Sequence, residues 1–81
     1  MIKIYQFPTC PYCARVIRTL DSLGLESGKD YELIEAYRGT KGREEVVQLG
    51  GINQVPFMVD GETKMYESND IIHYLKNKFQ A

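Results

Sequence analysis

Histidine and cysteine are scarce in this chain. Histidine occurs once, as His73, and cysteine twice, as Cys10 and Cys13. A zinc site needs about four ligands, and His73 lies far from both cysteines in sequence, so no metal is expected. His73 falls on the polar side of its helical pattern and reads as a solvated surface residue. An excess of one charge is also missing. Ten Lys and Arg residues face eleven Asp and Glu for a net charge of −1, and no run of basic residues forms a stripe. That argues against a nucleic-acid partner. Long apolar runs are missing too: the uncharged stretch Gln48 to Val59 is interrupted by Gly50, Gly51, Asn53 and Pro56, so no membrane association is expected. The N-terminus has no basic segment followed by an apolar core, so no signal peptide is expected and the expected location is cytoplasmic. In a reducing compartment a permanent structural disulfide is not expected, which shifts the weight for the cysteines toward catalysis.

At 81 residues, 43% hydrophobic and 26% charged, the chain reads as one soluble domain over residues 1–81, near the lower size limit for a self-sufficient core. Its two cysteines stand at Cys-x-x-Cys spacing in Cys10-Pro11-Tyr12-Cys13. Before them, Ile2 to Phe7 alternate with β-branched and aromatic residues and predict a strand. After Pro8 and Thr9 break it, Pro11 suits the first position of a helix, placing Cys10 at or beside the N-cap. Cys13, Val16, Ile17, Leu20 and Leu23 recur at three- and four-residue spacing and predict one buried face, with Arg15 and Arg18 on the opposite side and Gly24 as the C-cap. Strand, turn and helix around Cys-x-x-Cys point to thiol–disulfide chemistry.

Further along, Tyr31 to Ala36 predicts a second strand, Arg38 to Gly42 a basic glycine-rich loop, and Arg43 to Leu49 a short helix with Val46, Val47 and Leu49 as its apolar residues. Phe57 to Val59 and roughly Glu62 to Tyr66 predict a hairpin turning at Asp60-Gly61. Ser68 is a good N-cap for a last helix whose inner stripe is Ile71, Ile72, Leu75 and Phe79. The fold class is α/β, in the order β-α-β-α-β-β-α: a mixed four-stranded sheet flanked by three helices.

The chemistry follows from the helix end. Only a thiolate attacks, and a helix N-terminus supports the anion through its partial positive charge and free amides. Thiols so placed have pKa values of about 3.5–7.5. Cys10, at the exposed end, is the expected nucleophile, and Cys13, one turn inside, the resolving cysteine. Pro11 stiffens the turn and Tyr12 is expected to form a wall beside Cys10.

Cys10-Pro11-Tyr12-Cys13 after a short first strand resembles the active-site motif of dithiol glutaredoxins. Val55-Pro56 before the hairpin is similar to that family's Thr/Val-Pro segment, whose proline is cis in thioredoxin-like folds. The resemblance covers the whole chain. It implies a thioredoxin-like fold and an enzyme, a glutathione-dependent thiol–disulfide oxidoreductase. Glutathione would be its co-substrate, and disulfide-containing or glutathionylated proteins its partners; the chain would be a monomer. It also implies a glutathione site, with Val55 and Pro56 at the cysteinyl unit and the start of the last helix at the γ-glutamyl group. There the chain departs from ordinary glutaredoxins. Glu67-Ser68 instead resembles the Glu-Ser pair of glutathione S-transferase N-terminal domains, Glu67 suiting an ammonium and Ser68 a carboxylate. A simpler reading leaves Ser68 as only a cap. Phe7 stands where glutaredoxins carry a lysine, so Arg38, Lys41 and Arg43 become candidates for the glycine carboxylate. Alternatives in the same fold are a glutaredoxin-like thioredoxin served by thioredoxin reductase and an iron–sulfur cluster-binding glutaredoxin. A transferase as such would need a helical second domain for its electrophile.

Overall fold

The computed structural model describes residues 1–80. The element order is β1 (Ile2–Gln6), α1 (Pro11–Ser22), β2 (Tyr31–Glu35), α2 (Lys41–Gly50), β3 (Phe57–Asp60), β4 (Thr63–Met65) and α3 (Ser68–Phe79). This is the expected β-α-β-α-β-β-α, thioredoxin-like arrangement. The sheet runs β2-β1-β3-β4. β1 lies parallel to β2, from Ile2 beside Tyr31 to Gln6 beside Glu35, and antiparallel to β3, with Tyr5 opposite Phe57.

Alternation along β1 divides the core. Ile2 and Ile4 join Val16, Leu20, Met58, Ile71 and Leu75 under α1 and α3. Tyr5 joins Ala36, Val46 and Phe57 under α2. α1 begins with Pro11 after the Cys10 N-cap, as expected. It ends in a Schellman turn, where Gly24 N–H donates to the Asp21 carbonyl and Leu25 N–H to that of Leu20, leaving Leu25 packed on the core. Leu23 itself is the C-cap and Gly24 the residue after it.

Several expectations shift. Ile17 and Leu23 are only half-buried on α1, and Thr19 takes a core-facing place. Lys41 and Gly42 belong to α2 rather than to a loop, because Thr40 caps the helix by accepting the Arg43 amide at 3.2 Å. A Cβ on Gly42 would lie 1.9 Å from the Glu35 carbonyl oxygen, so glycine here permits close contact with β2 rather than marking a break. α2 buries only Gly42 and Val46; Val47 and Leu49 are each 42% exposed, because α2 crosses the sheet alone and lacks a second helix beside it. Phe79, likewise, lies beyond the core and is exposed. Finally, the hairpin turns one residue later than expected. Asp60 pairs with Thr63, so Gly61, at φ +62, and Glu62 form the turn, with glycine in the first central place.

The strand directions decide where function can gather. β1 ends, β3 begins and β4 ends at the same edge of the sheet. Cys10, Val55-Pro56 and Glu67-Ser68 follow or precede those ends in sequence, so three distant segments meet there. Among the described residues, no helix is long and apolar enough to cross a membrane, and no group of three or more His, Cys, Asp or Glu side chains gathers to hold a metal.

Candidate functional site

Two cavities open along this edge and share Tyr12, Gln54 and Val55 as their common wall. One, of about 590 Å³, holds Cys10 and Pro11 between Phe7, Tyr37, Arg38 and Arg43. The other, of about 460 Å³, runs from Tyr12 and Pro56 to Arg15, Glu67, Ser68 and Asn69. Together they make one groove with thiol and cations at one end and the start of α3 at the other.

Cys10 is not at an exposed end: it is 5% exposed, sunk in the floor of its cavity because Pro11 turns the chain into α1 directly above the sheet. Its Sγ accepts the Cys13 amide at 3.2 Å, so the sulfur is itself the cap of α1. Both cysteines carry free thiols. Cys13 is fully buried. Burial first, and then its hydrogen bond and charge interaction with Cys10, push its thiol up to about 12, against an opposing pull from the Phe7 backbone and Arg43. Cys13 therefore holds its proton at neutral pH. Tyr12, 61% exposed, rises as a wall. The Val55-Pro56 peptide is cis.

At the other end the expected cap fails. Glu67, not Ser68, is the N-cap of α3, and no side chain caps it. Glu67 sits at φ 65, ψ 117, the one positive-φ residue other than glycine among the described residues. That backbone costs about 1–3 kcal/mol and recurs at ligand clamps. Displaced to the first helical position, Ser68 is buried, with its hydroxyl reached by Arg15 Nη1 at 3.3 Å. Arg15 Nη2 also donates to Asn69 Oδ1 at 2.7 Å. Gln54 Nε2 donates to Glu67 Oε1 at 3.1 Å, tying the two walls together. Tyr66 does the same from below. Its hydroxyl donates to the Ile52 carbonyl at 2.8 Å, with that of Val46 at 3.3 Å, and accepts the Ile52 amide at 3.1 Å.

Of the residues expected in the site, Cys10, Pro11, Tyr12, Val55, Pro56, Glu67, Ser68 and Arg38 line the groove. Lys41 does not line it and stands exposed in the first turn of α2. Arg43 takes the place inside, its Nε donating to the Ala36 carbonyl at 2.8 Å and its Nη1 to Asn53 Oδ1 at 2.8 Å. Phe7 packs edge-on against Tyr37, with ring centroids 5.1 Å apart, and closes the side where a lysine was absent. Arg15, Gln54 and Asn69 escaped the sequence reading. Arg15 had a signal: it lies one turn after Tyr12, so a wall at Tyr12 puts Arg15 on the same side.

Residues 4–81 match the family described as glutathione S-transferase, N-terminal domain. The chain is 29% identical over 82 residues to glutathione S-transferase 3 of Zea mays, covering 99% of this chain and 35% of that protein. It is 29% identical over 79 residues to glutathione S-transferase 4 of the same plant, covering 95% and 34%. Among solved structures it is similar to glutathione S-transferase-I bound with lactoylglutathione, with TM-score 0.79, 25% identity, and coverage of 98% of this chain and 37% of that one. A Tau class glutathione S-transferase from mango, Mangifera indica, superposes with TM-score 0.80 at 22% identity, over 98% and 34% of the two chains. The chain thus spans about a third of the length of the relatives it matches. These comparisons give the family that Glu67-Ser68 resembles, rather than the glutaredoxins, a related thioredoxin-fold class. By its family match over residues 4–81, the chain belongs to the N-terminal domain family of the glutathione S-transferases.

Proposed function

We propose that this chain binds glutathione along the groove and acts as a glutathione-dependent thiol–disulfide oxidoreductase through Cys10 and Cys13. The observation that carries this is the cap of α1: Cys10 Sγ, at the floor of the groove, accepts the Cys13 amide, while Cys13 is buried one turn inside. The γ-glutamyl end of glutathione lies at α3, its ammonium on Glu67 and its carboxylate on Ser68 and the open amides of the helix. Its cysteinyl unit pairs with the Val55 backbone, and its glycine carboxylate faces Arg38 and Arg43.

With a glutathionylated protein, the Cys10 thiolate attacks the glutathione sulfur. The protein–glutathione S–S bond breaks, a Cys10–glutathione disulfide forms, and the protein leaves as a thiolate that takes a proton from water. A second glutathione thiolate then attacks the bound glutathione sulfur, leaving as glutathione disulfide and restoring Cys10. With a protein disulfide, Cys10 forms the mixed disulfide and releases one substrate thiolate. Burial, the main influence that holds the Cys13 proton, stays, but the two that come from Cys10 fall away once the Cys10 sulfur is bonded. Cys13 then attacks the Cys10 sulfur, its proton passing to the first substrate thiolate released; the second substrate thiolate leaves, and a Cys10–Cys13 disulfide remains, which two glutathione thiols reduce.

In assays with a glutathione mixed disulfide and a protein disulfide, Cys10→Ser loses both activities. Cys13→Ser keeps the first and loses the second. A Cys13→Ser protein inactive toward the glutathione mixed disulfide would overturn these roles. The family match favours a second reading, in which glutathione bound in the same groove attacks a small electrophile. Conjugation that survives Cys10→Ser, with no disulfide reduction by the unaltered protein, would select it.

A further inference from the structure

A second groove, of about 330 Å³, runs between α1 and α3 and is lined by Arg15, Arg18, Thr19, Ser22, Ile72 and Lys76. Arg15 is also a wall of the glutathione groove, so the two adjoin at that side chain. Three cations line it and no acid does. Asp21 follows Arg18 on α1 and Asp70 lies in the first turn of α3, yet neither forms an ion pair with these cations. Among the described residues the one ion pair is Lys78 with Asp60. Such concentration in a chain of net charge −1 makes a local positive field rather than a general one. The lining is polar apart from Ile72, which suits a partner that comes and goes in water more than a permanent apolar interface.

We propose that this groove seats an acidic segment of the protein whose disulfide or glutathionylated cysteine reacts at Cys10. The inference rests on the oxidoreductase reading and names its substrate class. Arg18 lies eight residues beyond Cys10 on one helix, about 12 Å along its axis. An extended chain covers that distance in about four residues. The favoured substrate therefore carries Asp or Glu about four residues from its reacting cysteine. Charge of this kind acts mainly on encounter and falls away with salt.

The test uses two short glutathionylated peptides, alike except for glutamates or glutamines at that spacing, and the mixed disulfide of glutathione with 2-mercaptoethanol. The unaltered protein should turn over the acidic peptide with kcat/KM about 10-fold above the neutral one at low salt, and the preference should vanish at high salt. The double variant R18E/K76E should lose the preference while keeping its rate on the small mixed disulfide. Equal rates for the two peptides, or a preference that survives in the variant, would overturn the proposal. Failure of the oxidoreductase reading would appear separately, as no turnover of the small mixed disulfide by the unaltered protein. In that event fluorescence anisotropy of the same peptides decides for the groove: tighter binding of the acidic one, lost in R18E/K76E, supports it, and equal binding sinks it.

Discussion

Two helix N-termini face the same groove and end in opposite ways. α1 is closed: the Cys10 sulfur takes the Cys13 amide as its cap. α3 is open: Glu67 at its N-cap has a positive φ and no side chain accepts from the first amides of the helix. A closed end suits a group that must become an anion itself, since the amide and the helix dipole are already aimed at it. An open end suits an anion that arrives, because its donors are unspent. In the proposed function the pair of ends gives the groove a direction, with chemistry at α1 and anchoring at α3.

Substitutions at the open end should have the largest effect on binding and none on the thiol. Ser68→Ala and Glu67→Gln each remove a partner of a charged ligand group, worth about 1.5–3 kcal/mol, so each should weaken glutathione binding by about 10- to 150-fold in calorimetry. Alkylation of Cys10 by a small reagent should keep its rate in both. If Ser68→Ala left affinity untouched, the α3 end would be no anchor and the comparison would fail. Tyr66→Phe should do less. It removes only the hydroxyl that pins the Ile52 backbone beneath the Val55 wall, a loss of about 1 kcal/mol. Glutathione affinity should fall about 5-fold with unchanged turnover at saturation. A fall in saturated turnover instead would mean that Tyr66 acts on the thiol end.

The closed end was far more legible in sequence than the open one. Cys10, Pro11 and the apolar spacing after them specify a cap, a first turn and a buried face within one local segment, and local segments are what a sequence shows directly. Ser68 misled because its preference for capping is local, whereas its place is set by Arg15, 53 positions away in sequence, and by the Glu67 backbone. Gly42 read as a loop for the same reason: its need is the Glu35 carbonyl of β2, which no local pattern reveals. Val46, Val47 and Leu49 are equally apolar in sequence, and which of them is covered depends on how α2 lies on the sheet. The meeting of Cys10, Val55 and Glu67 was recoverable from the strand directions. Arg43 displacing Lys41 was not, since two basic residues two positions apart differ only in which side of α2 meets Ala36 and Asn53.

The smallest effect separates the two ends by pH. Cys13 titrates near 9 when unperturbed and is pushed up to about 12 in the fold, mainly by burial. Between those values the unfolded chain releases the Cys13 proton while the folded chain keeps it. The unfolded state then binds fewer protons, so this contribution to stability is whole below pH 9 and is lost as pH rises toward 12. Tyr5, buried and donating to Glu45 at 3.0 Å, is raised from 10.0 to about 12, again chiefly by burial, and adds a loss that begins later. Thermal melts of the unaltered protein should therefore begin to fall from about pH 9. In Cys13→Ala the fall should start nearer pH 10, where Tyr5 is joined by Tyr31, raised by burial, and Tyr74, raised by its hydrogen bond to Asp60, whereas Ser68→Ala should follow the unaltered protein throughout. Parallel curves for the unaltered protein and Cys13→Ala between pH 9 and 10 would show that the α1 end does not hold the Cys13 proton. The assignment of Cys10 as the attacking sulfur would then lose its electrostatic basis.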